Sequence, residues 1–393
     1  MITLITNNDD TFSNPTLKLI CEKFIKNGIG VQIFGKSNEE ALPIPDEILY
    51  IKKWNYDVTF PKKYIDVLRF FRWYLKLTYL LYRTKTKYLF AIDPPGLIMA
   101  ARFKFLNPKL KIHYFSFEIF FSKELSNKFL KTIKAKEIFY TKFASSVIIQ
   151  DDVRKNLLIT ENHIKKPNLI KWYMIPVAPL IINKQVERNN FIRVKYNIDS
   201  NTKILLHTGS VGGWSGAYIF IELLEKGLPE NYILFIHSRF KLSDKNVIHK
   251  KLMDLEKNGY PVILHDEFFS NDDEYLDFLR NFDFGFALYE KDERSIYTGA
   301  NIEHIGLSSG KFSYYMGACL PTITLKCKTY EELNNKYQFG KLIKNSSDLH
   351  RCLQSNELCK IDLNNCWHLY EECLDPSMKL ENYFISIKGI KNT

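Results

Sequence analysis

One lysine in the second half of the sequence is preceded by small and hydroxyl-bearing residues. Ser308, Ser309 and Gly310 lead into Lys311, and a helix-length, largely apolar run follows. A loop of this kind exposes backbone N–H groups at a helix start, where the helix dipole adds to their attraction for an anion. The segment therefore predicts a phosphate site that includes both serines, the glycine and the lysine. The alternative is an ordinary Ser N-cap beside a solvated lysine.

A glycine-rich segment follows the first predicted strand of this half. Gly209, Gly212 and Gly213 lie within the run 208–216, between that strand and a predicted helix. Glycines without a Cβ allow a sugar phosphate to approach the backbone closely. We predict that these three glycines contact the same ligand, with a flexible turn as the alternative.

Polar residues end further predicted strands of the second half. His237 and Arg239 follow one strand, His265 another and Glu290 a third. The carboxyl ends of parallel strands share one edge of a sheet, where α/β proteins bind their ligands. We predict His237, Arg239 and Glu290 as ligand contacts, with Arg239 facing phosphate and Glu290 a ribose hydroxyl. A structural role is the alternative for each histidine.

Carboxylates end predicted strands of the first half as well. Glu118 follows the predicted strand Lys111–Phe117, and Asp151 follows Ser146–Gln150. A carboxylate at such a place can orient or deprotonate a substrate hydroxyl, so we predict Glu118 and Asp151 as catalytic. Helix N-capping is the alternative for Asp151. A third strand end, Asp93-Pro-Pro-Gly96, has the composition of a structural turn.

These residues must be positioned by short apolar runs that alternate with helix-length amphipathic segments along the chain. Such alternation predicts repeated β-α units around parallel sheets. The pattern restarts after the polar segment 183–190, and a length of 393 residues suits two domains. We predict an α/β fold of two tandem Rossmann-like, doubly wound domains, 1–183 and 184–393, with an interdomain cleft. Helices near the C-terminus close the second domain.

The charge is concentrated in the first half. Residues 1–184 hold 30 Lys and Arg against 16 Asp and Glu, whereas residues 185–393 hold 25 against 28. This asymmetry predicts an anionic partner surface for the first domain. Because the sequence has no zinc-finger spacing and no aromatic RNA-binding signature, we expect an anionic membrane and no nucleic acid.

The segment 62–87 is a basic, aromatic-rich amphipathic helix in this interpretation. Arg69, Arg72, Lys76 and Arg83 interrupt its apolar run at nearly helical spacing, which suits a helix lying on a membrane. The alternative is a core helix with its charges in water.

The N-terminus has no basic region followed by an apolar run, and no stretch of the chain is apolar over 18 residues. The seven cysteines form no C-x-x-C pair, which favours reduced thiols over disulfides or zinc. We therefore expect a cytoplasmic protein, peripheral on the inner face of the cell membrane, without metal or cofactor.

The segment 306–323 resembles the signature of GT-B glycosyltransferases, notably bacterial capsule and lipopolysaccharide enzymes of the family-four or group-one type. In that signature, S/N-x-K-[LF]-x-E-Y-M-x-x-G-x-P-[VT]-I, a loop and a helix cover the donor diphosphate. The matching positions here are Lys311, Tyr315, Met316, Leu320, Pro321 and Ile323. The resemblance implies transfer of a hexose-type sugar from a nucleoside diphosphate sugar to a hydroxyl of a glycan or lipid-linked acceptor. It implies no obligatory metal and, since most of the wider family retain the anomeric configuration, retention.

The sequence departs from this signature at three places. Tyr314 replaces the helix glutamate, Gly306 stands where a partner glutamate is usual, and Cys319 replaces a glycine. We place Tyr314 among the donor contacts and assign the displaced ribose contact to Glu290. Two alternatives stay open: a nucleotide-sugar 2-epimerase on a similar fold, and a non-catalytic nucleotide-sugar-binding subunit, which the missing glutamates favour.

Overall fold

The computed structural model describes residues 1–6, 14–35, 48–51, 64–355 and 357–388. It divides into two compact units, Met1–Val177 with Pro376–Thr393, and Ala178–Asp375. The sequence placed the boundary at 183 and gave the last helix to the second domain. The structure instead places this helix in the first unit.

The described strands of the first unit form a seven-stranded parallel sheet in the order β3-β2-β1-β4-β5-β6-β7. Its strands are β1 (Ile2–Ile5), β2 (Val31–Phe34), β3 (Leu49–Ile51), β4 (Tyr88–Ile92), β5 (Lys111–Phe115), β6 (Ala144–Ile149) and β7 (Lys171–Met174). Its helices are α1 (Pro15–Lys26), α2 (Tyr64–Arg83), α3 (Asp93–Leu106), α4 (Lys128–Thr141), α5 (Asp152–Glu161) and the final helix, α15 (Ser377–Lys388). Buried apolar clusters cover both faces of the central strands, as a parallel sheet requires.

Helix α15 packs on one face of this sheet. Phe384 lies 5.1 Å from Phe24 of α1 between ring centroids, and Tyr383 lies 6.2 Å from Phe90 of β4. The hydroxyl of Tyr88 also donates to the carbonyl of Ile387 at 2.9 Å. These contacts explain why the chain returns to the first unit at its C-terminal end.

The second unit holds a six-stranded parallel sheet in the order β10-β9-β8-β11-β12-β13 within the described residues. Its strands are β8 (Lys203–Gly209), β9 (Tyr232–Ser238), β10 (Val262–His265), β11 (Phe284–Ala287), β12 (Thr322–Leu325) and β13 (Gly340–Ile343). Its helices are α6 (Phe191–Lys195), α7 (Ala217–Lys226), α8 (Val247–Lys257), α9 (Asp272–Leu279), α10 (Ala300–Glu303), α11 (Gly310–Gly317), α12 (Lys328–Tyr337), α13 (Ser346–Gln354) and α14 (Leu363–Leu369). Two apolar clusters again sandwich the sheet, which confirms the predicted α/β, doubly wound architecture of each unit.

Both sheets reverse their strand order at one place. The reversal lies between β1 and β4 in the first sheet and between β8 and β11 in the second. The crevice outside the carboxyl ends of such strands is where open α/β sheets bind ligands. The segments after β4, β8 and β11 are therefore the first places to look for a site.

No helix within the described ranges is long and apolar enough to cross a membrane.

Candidate functional site

The predicted phosphate loop opens helix α11. Ser309 is its N-cap, and the Ser309 hydroxyl accepts from the N–H of Phe312 at 3.1 Å. Tyr289 follows β11, and its hydroxyl lies 2.5 Å from the same Ser309 oxygen. Within the described part of the chain, the N–H groups of Gly310 and Lys311 have no hydrogen-bond acceptor. Two backbone donors at a helix start are thus available to an anion.

Ser308 closes the short 3-10 turn Gly306–Ser308 directly before this helix. Its N–H donates to the carbonyl of Ile305 at 2.9 Å, and its side chain is half-buried. The residue therefore lies beside the helix start, next to the capping serine.

Lys311 is the second residue of this helix, and its side chain extends to β8, the strand at the order reversal of the sheet. Its ammonium nitrogen is 3.4 Å from Nδ1 of His207 and 5.4 Å from the centroid of the Tyr289 ring. Among the described residues no carboxylate forms an ion pair with it. Burial without a counter-charge lowers the pKa of Lys311 to about 7. This lysine is a cation that an anionic ligand would stabilise.

His207 is the acceptor for that ammonium group. It is fully buried on β8, and its Nε2 lies 3.2 Å from the carbonyl oxygen of Ser210. Burial and the nearby Lys311 charge hold the pKa of His207 well below its ordinary value, so the ring is neutral. A neutral ring that donates from Nε2 to a carbonyl keeps a lone pair on Nδ1 for Lys311. The sequence prediction missed His207, although a histidine within an apolar strand was a visible signal.

The glycine-rich loop passes directly beside Lys311. Gly209 has a φ of +97°, and a Cβ built there would lie 3.6 Å from Cε of Lys311. The N–H of Gly212 donates to the Ser215 hydroxyl at 2.9 Å, and Gly213 begins a short 3-10 turn. At Gly213 a Cβ would lie 2.7 Å from the ring of Tyr218, an exposed side chain that would have to shift to admit a larger residue. The loop is a packed turn at the strand-order reversal, close to the lysine.

A hydroxyl network joins the end of β8 to helix α11. The hydroxyl of Tyr315 lies 3.0 Å from Oγ1 of Thr208, which also accepts from Tyr275 at 2.8 Å. The buried Tyr315 therefore fixes the glycine-rich loop against the helix that carries Lys311. Thr208 and Tyr275 were absent from the predicted site.

Glu290 lies on the other side of the reversal, after β11. Its N–H donates to the carbonyl of Trp214 at 2.9 Å, and the Trp214 ring is stacked near Tyr289. Its Oε2 is buried and has no hydrogen-bond partner among the described residues. Burial and the charge of Glu222 raise the pKa of Glu290. A buried carboxylate oxygen without a donor is suited to accept from a ligand hydroxyl.

The two predicted contacts after β9 are placed differently from each other. His237 is buried, with Nδ1 2.9 Å from Nδ1 of His265, and burial together with that neighbour lowers its pKa to about 3. Arg239 is half-buried beside the glycine-rich loop, where its N–H donates to the carbonyl of Gly209 at 3.0 Å. Its guanidinium carbon lies 5.6 Å from the centroid of the Phe240 ring. Arg239 is therefore adjacent to the loop, and His237 lies within an aromatic cluster.

Tyr314, the replacement for the family glutamate, is directed elsewhere. Its hydroxyl donates to Oδ1 of Asp272, the first residue of α9, at 2.7 Å, and its ring packs against Tyr275. The structure thus shows a helix-to-helix contact for Tyr314, and its donor contact stays a prediction.

In the first unit, the loop after β5 carries Glu118. The strand ends at Phe115, two residues earlier than predicted, so Phe117 and Glu118 lie in a loop. Both of their N–H groups donate to Oδ1 of Asp93, at 2.8 and 2.9 Å. Asp151 is the N-cap of α5, where its carboxylate accepts from the N–H of Arg154 at 2.8 Å. The capping alternative therefore describes the observed contact of Asp151.

No three His, Cys, Asp or Glu side chains lie close enough to hold a metal ion in the part of the chain that the structure describes.

No protein-family model matches the sequence, and no curated protein matches it significantly. Solved structures do match over the whole chain. Sucrose-phosphate synthase from Thermosynechococcus elongatus has a TM-score of 0.70 at 10% identity, covering 99% of this chain and 98% of that one. Anabaena Alr3699/HepE in complex with UDP-glucose has a TM-score of 0.70 at 12% identity, covering 99% of both chains. WaaG, a glycosyltransferase involved in lipopolysaccharide biosynthesis, has a TM-score of 0.64 at 15% identity, covering 99% of this chain and 100% of that one.

These likenesses agree with the two doubly wound units. At such identities they establish the architecture. The resemblance read from the sequence is confirmed at that level, and this chain has the GT-B fold of glycosyltransferases.

Proposed function

We propose that this protein is a glycosyltransferase that uses a nucleoside diphosphate sugar as its donor. The observation that carries the proposal is Lys311, a part-buried cation without a carboxylate partner among the described residues, beside two unpaired N–H groups of α11. An anion with two phosphates matches this combination of charge and donors. Support comes from HepE, which was solved with UDP and with UDP-glucose, so a UDP-sugar is the first donor to test.

The same groups would stabilise the leaving diphosphate during transfer. Donors that are held in place before the reaction stabilise developing negative charge efficiently, because they need no reorganisation. We therefore propose a metal-independent reaction in which Lys311 and the helix N–H groups neutralise the departing phosphate. Glu290 would accept from a ribose hydroxyl, and retention of configuration follows the resembled family.

The acceptor in this proposal is a hydroxyl of a glycan or lipid-linked molecule at an anionic membrane, on its cytoplasmic side. WaaG, which acts in lipopolysaccharide biosynthesis, supports a role in surface polysaccharide synthesis. Support from this chain itself lies in helix α2. Its exposed side holds Phe71, Leu75, Tyr79 and Tyr82, with exposed fractions of 57%, 49%, 64% and 81%.

Basic residues lie next to this apolar stripe, at positions Arg72, Lys76 and Arg83, and all three are exposed. The opposite side of α2 packs inward through Leu77 and Leu81. Aromatic and basic residues together on a solvent-exposed helix face suit the interface of an anionic bilayer. Lys62 and Lys63 lie outside the described residues, as does the side chain of Arg69.

The experiment that tests the donor is direct binding. Purified protein is titrated calorimetrically with UDP-glucose, UDP-galactose, UDP-N-acetylglucosamine and GDP-mannose, and turnover is followed as release of the nucleoside diphosphate. Binding of a nucleotide sugar followed by sugar transfer is expected. Transfer to an added acceptor distinguishes this enzyme from an epimerase, and binding without any turnover would leave a non-catalytic binding subunit.

A further inference from the structure

The first unit has its own strand-order reversal, between β1 and β4, and Asp93 is the residue that directly follows β4. Sequence composition indicated a structural turn here. The position is the one at which an open α/β sheet binds a ligand. Glu118, which the sequence favoured, follows β5, one strand further from the reversal.

The backbone at Asp93 is unusual. Its φ is +55°, in the left-handed region that residues other than glycine rarely adopt. The helix that starts here is also pressed against β1, since a Cβ on Gly96 would lie 2.4 Å from the carbonyl oxygen of Ile5. A strained residue held by close packing commonly belongs to a functional site.

The Asp93 carboxylate is held by one of its oxygens. Oδ1 accepts from the N–H groups of Phe117 and Glu118, and no described group donates to Oδ2. Asp93 is half-buried, and among the described residues Oδ2 is not one of the fully buried polar atoms that lack a partner. One oxygen fixes the carboxylate, and the other is available to a ligand.

Neighbouring groups fix the same loop from other strand ends. The fully buried Arg154 donates to the carbonyl of Phe117 at 2.5 Å and to Oε1 of Gln150 at 2.8 Å. Gln150 in turn donates to the carbonyl of Ser116 at 3.0 Å. These bonds hold the loop whose N–H groups position the Asp93 carboxylate, so the carboxylate is supported from β6 and α5 as well.

Charges around Asp93 oppose one another. Burial raises its pKa to about 7, the two backbone N–H groups and Arg154 act to lower it, and Glu137 acts to raise it further. Because the Asp93 carboxylate changes its charge near neutral pH, its contribution to the transfer rate can be measured from the pH dependence of that rate.

We infer that Asp93 is the acceptor-binding carboxylate of the first unit, whose Oδ2 accepts the hydrogen bond of the acceptor hydroxyl during transfer. The inference rests on the proposed glycosyltransferase function and assigns its acceptor contact to a residue that the sequence pattern had treated as a turn.

The test uses Asp93→Asn in the full-length protein. Asparagine tolerates a positive φ, and its amide oxygen still accepts from Phe117 and Glu118, so the loop is retained while the charge and the free acceptor are lost. Asp152→Asn is the matched control, because Asp152 is an exposed carboxylate that begins α5, after β6, which lies two strands from β4 in the same sheet. Transfer from UDP-glucose is measured to water and to a panel of monosaccharides, and UDP-glucose binding is measured by calorimetry.

The expected result is a loss of transfer of roughly 10- to 100-fold in Asp93→Asn, as for a hydrogen bond to a charged group. UDP-glucose affinity should stay within about twofold, since the donor contacts lie in the other unit, and Asp152→Asn should match the wild type. Wild-type transfer should also fall below about pH 7, where Asp93 takes up a proton, and Asp93→Asn should lack this step.

Wild-type transfer by Asp93→Asn would overturn the inference while leaving the proposed function intact. If the variant does not fold, the wild-type profile decides, and a flat transfer rate from about pH 6 to about pH 8 overturns the inference. A wild-type protein that binds UDP-glucose but transfers to neither water nor sugars would also remove the assignment. Failure of the wild type to bind any nucleotide sugar would instead reject the proposed function itself.

Discussion

Lys311 and His207 form a dyad in which a lysine ammonium group lies 3.4 Å from the Nδ1 lone pair of a neutral, buried histidine. The two residues come from α11 and β8, so the contact joins the helix start to the strand-order reversal of the second sheet. A neutral acceptor positions the lysine without cancelling its charge. The charge of the protonated Lys311 is therefore available to an anionic ligand.

Replacing Lys311 with alanine should weaken UDP-glucose binding by roughly 1–3 kcal/mol, the range of a charge-assisted hydrogen bond. Isothermal calorimetry measures this, and thermal unfolding checks that the fold survives. Lys328→Ala is the matched control, because Lys328 begins the next helix, α12, with a side chain that is 70% exposed. Equal affinities for wild type and Lys311→Ala would remove Lys311 from the donor site.

UDP-glucose binding should weaken as pH rises through about 7, because Lys311 has a pKa of about 7 in the free protein. A bound diphosphate stabilises the charged lysine and raises its pKa, so binding takes up a proton above pH 7 and takes up none well below it. Affinity should then fall by up to roughly tenfold per pH unit above neutrality. Calorimetry in two buffers of different ionisation enthalpy counts the protons, and Lys311→Ala should show no uptake.

Glu118→Gln should reduce sugar transfer by roughly 10²–10⁴-fold while changing donor affinity only a few-fold, if Glu118 acts on the acceptor hydroxyl. The backbone bond from its N–H to Asp93 does not involve the side chain, so the loop should persist. Turnover of the variant at the wild-type rate would reduce Glu118 to a structural residue. Comparison with Asp93→Asn shows which of the two carboxylates contacts the acceptor.

Binding to liposomes should require anionic lipid and weaken with salt, because exposed basic residues near an anionic surface contribute about 1 kcal/mol each. Replacing Arg72 and Lys76 of α2 with glutamate should reduce co-sedimentation with phosphatidylglycerol vesicles. The charge-matched control replaces Lys165 and Lys166, two exposed lysines between α5 and β7, with glutamate. Equal loss in both double variants would indicate only a net-charge effect, and no binding by wild type at low salt would reject the membrane partner.

Much of the fold could be predicted because apolar runs and amphipathic segments alternate regularly. The helix Lys128–Thr141 escaped prediction for a physical reason. Its inner side carries Lys134 and Glu137, which are 3% and 0% exposed and bond to each other at 3.0 Å, so the expected apolar stripe is absent. The strand Gly340–Ile343 was missed because it begins with a glycine and a lysine and holds only two apolar residues, Leu342 and Ile343.

The site could be predicted only in part. Strand ends and glycines are local features, and they led to Lys311, Gly209 and Glu290. The contacts that define the chemistry depend on tertiary folding, since Lys311 and His207 are 104 residues apart in sequence. The hydrogen bond from the Tyr314 hydroxyl to Asp272 depends on packing between two helices. A motif within one segment does not predict such a contact.

The return of α15 to the first unit has a consequence for the order of synthesis. The helix that covers Phe24 and Phe90 is translated only after the entire second unit, Ala178–Asp375. During translation this aromatic face of the first unit therefore stays uncovered until α15 has been synthesised. The second unit already has all its strands by then and can fold earlier. A chain truncated after Asp375 should therefore hold a folded second unit and an unfinished first one, with Phe24 and Phe90 exposed to chaperones.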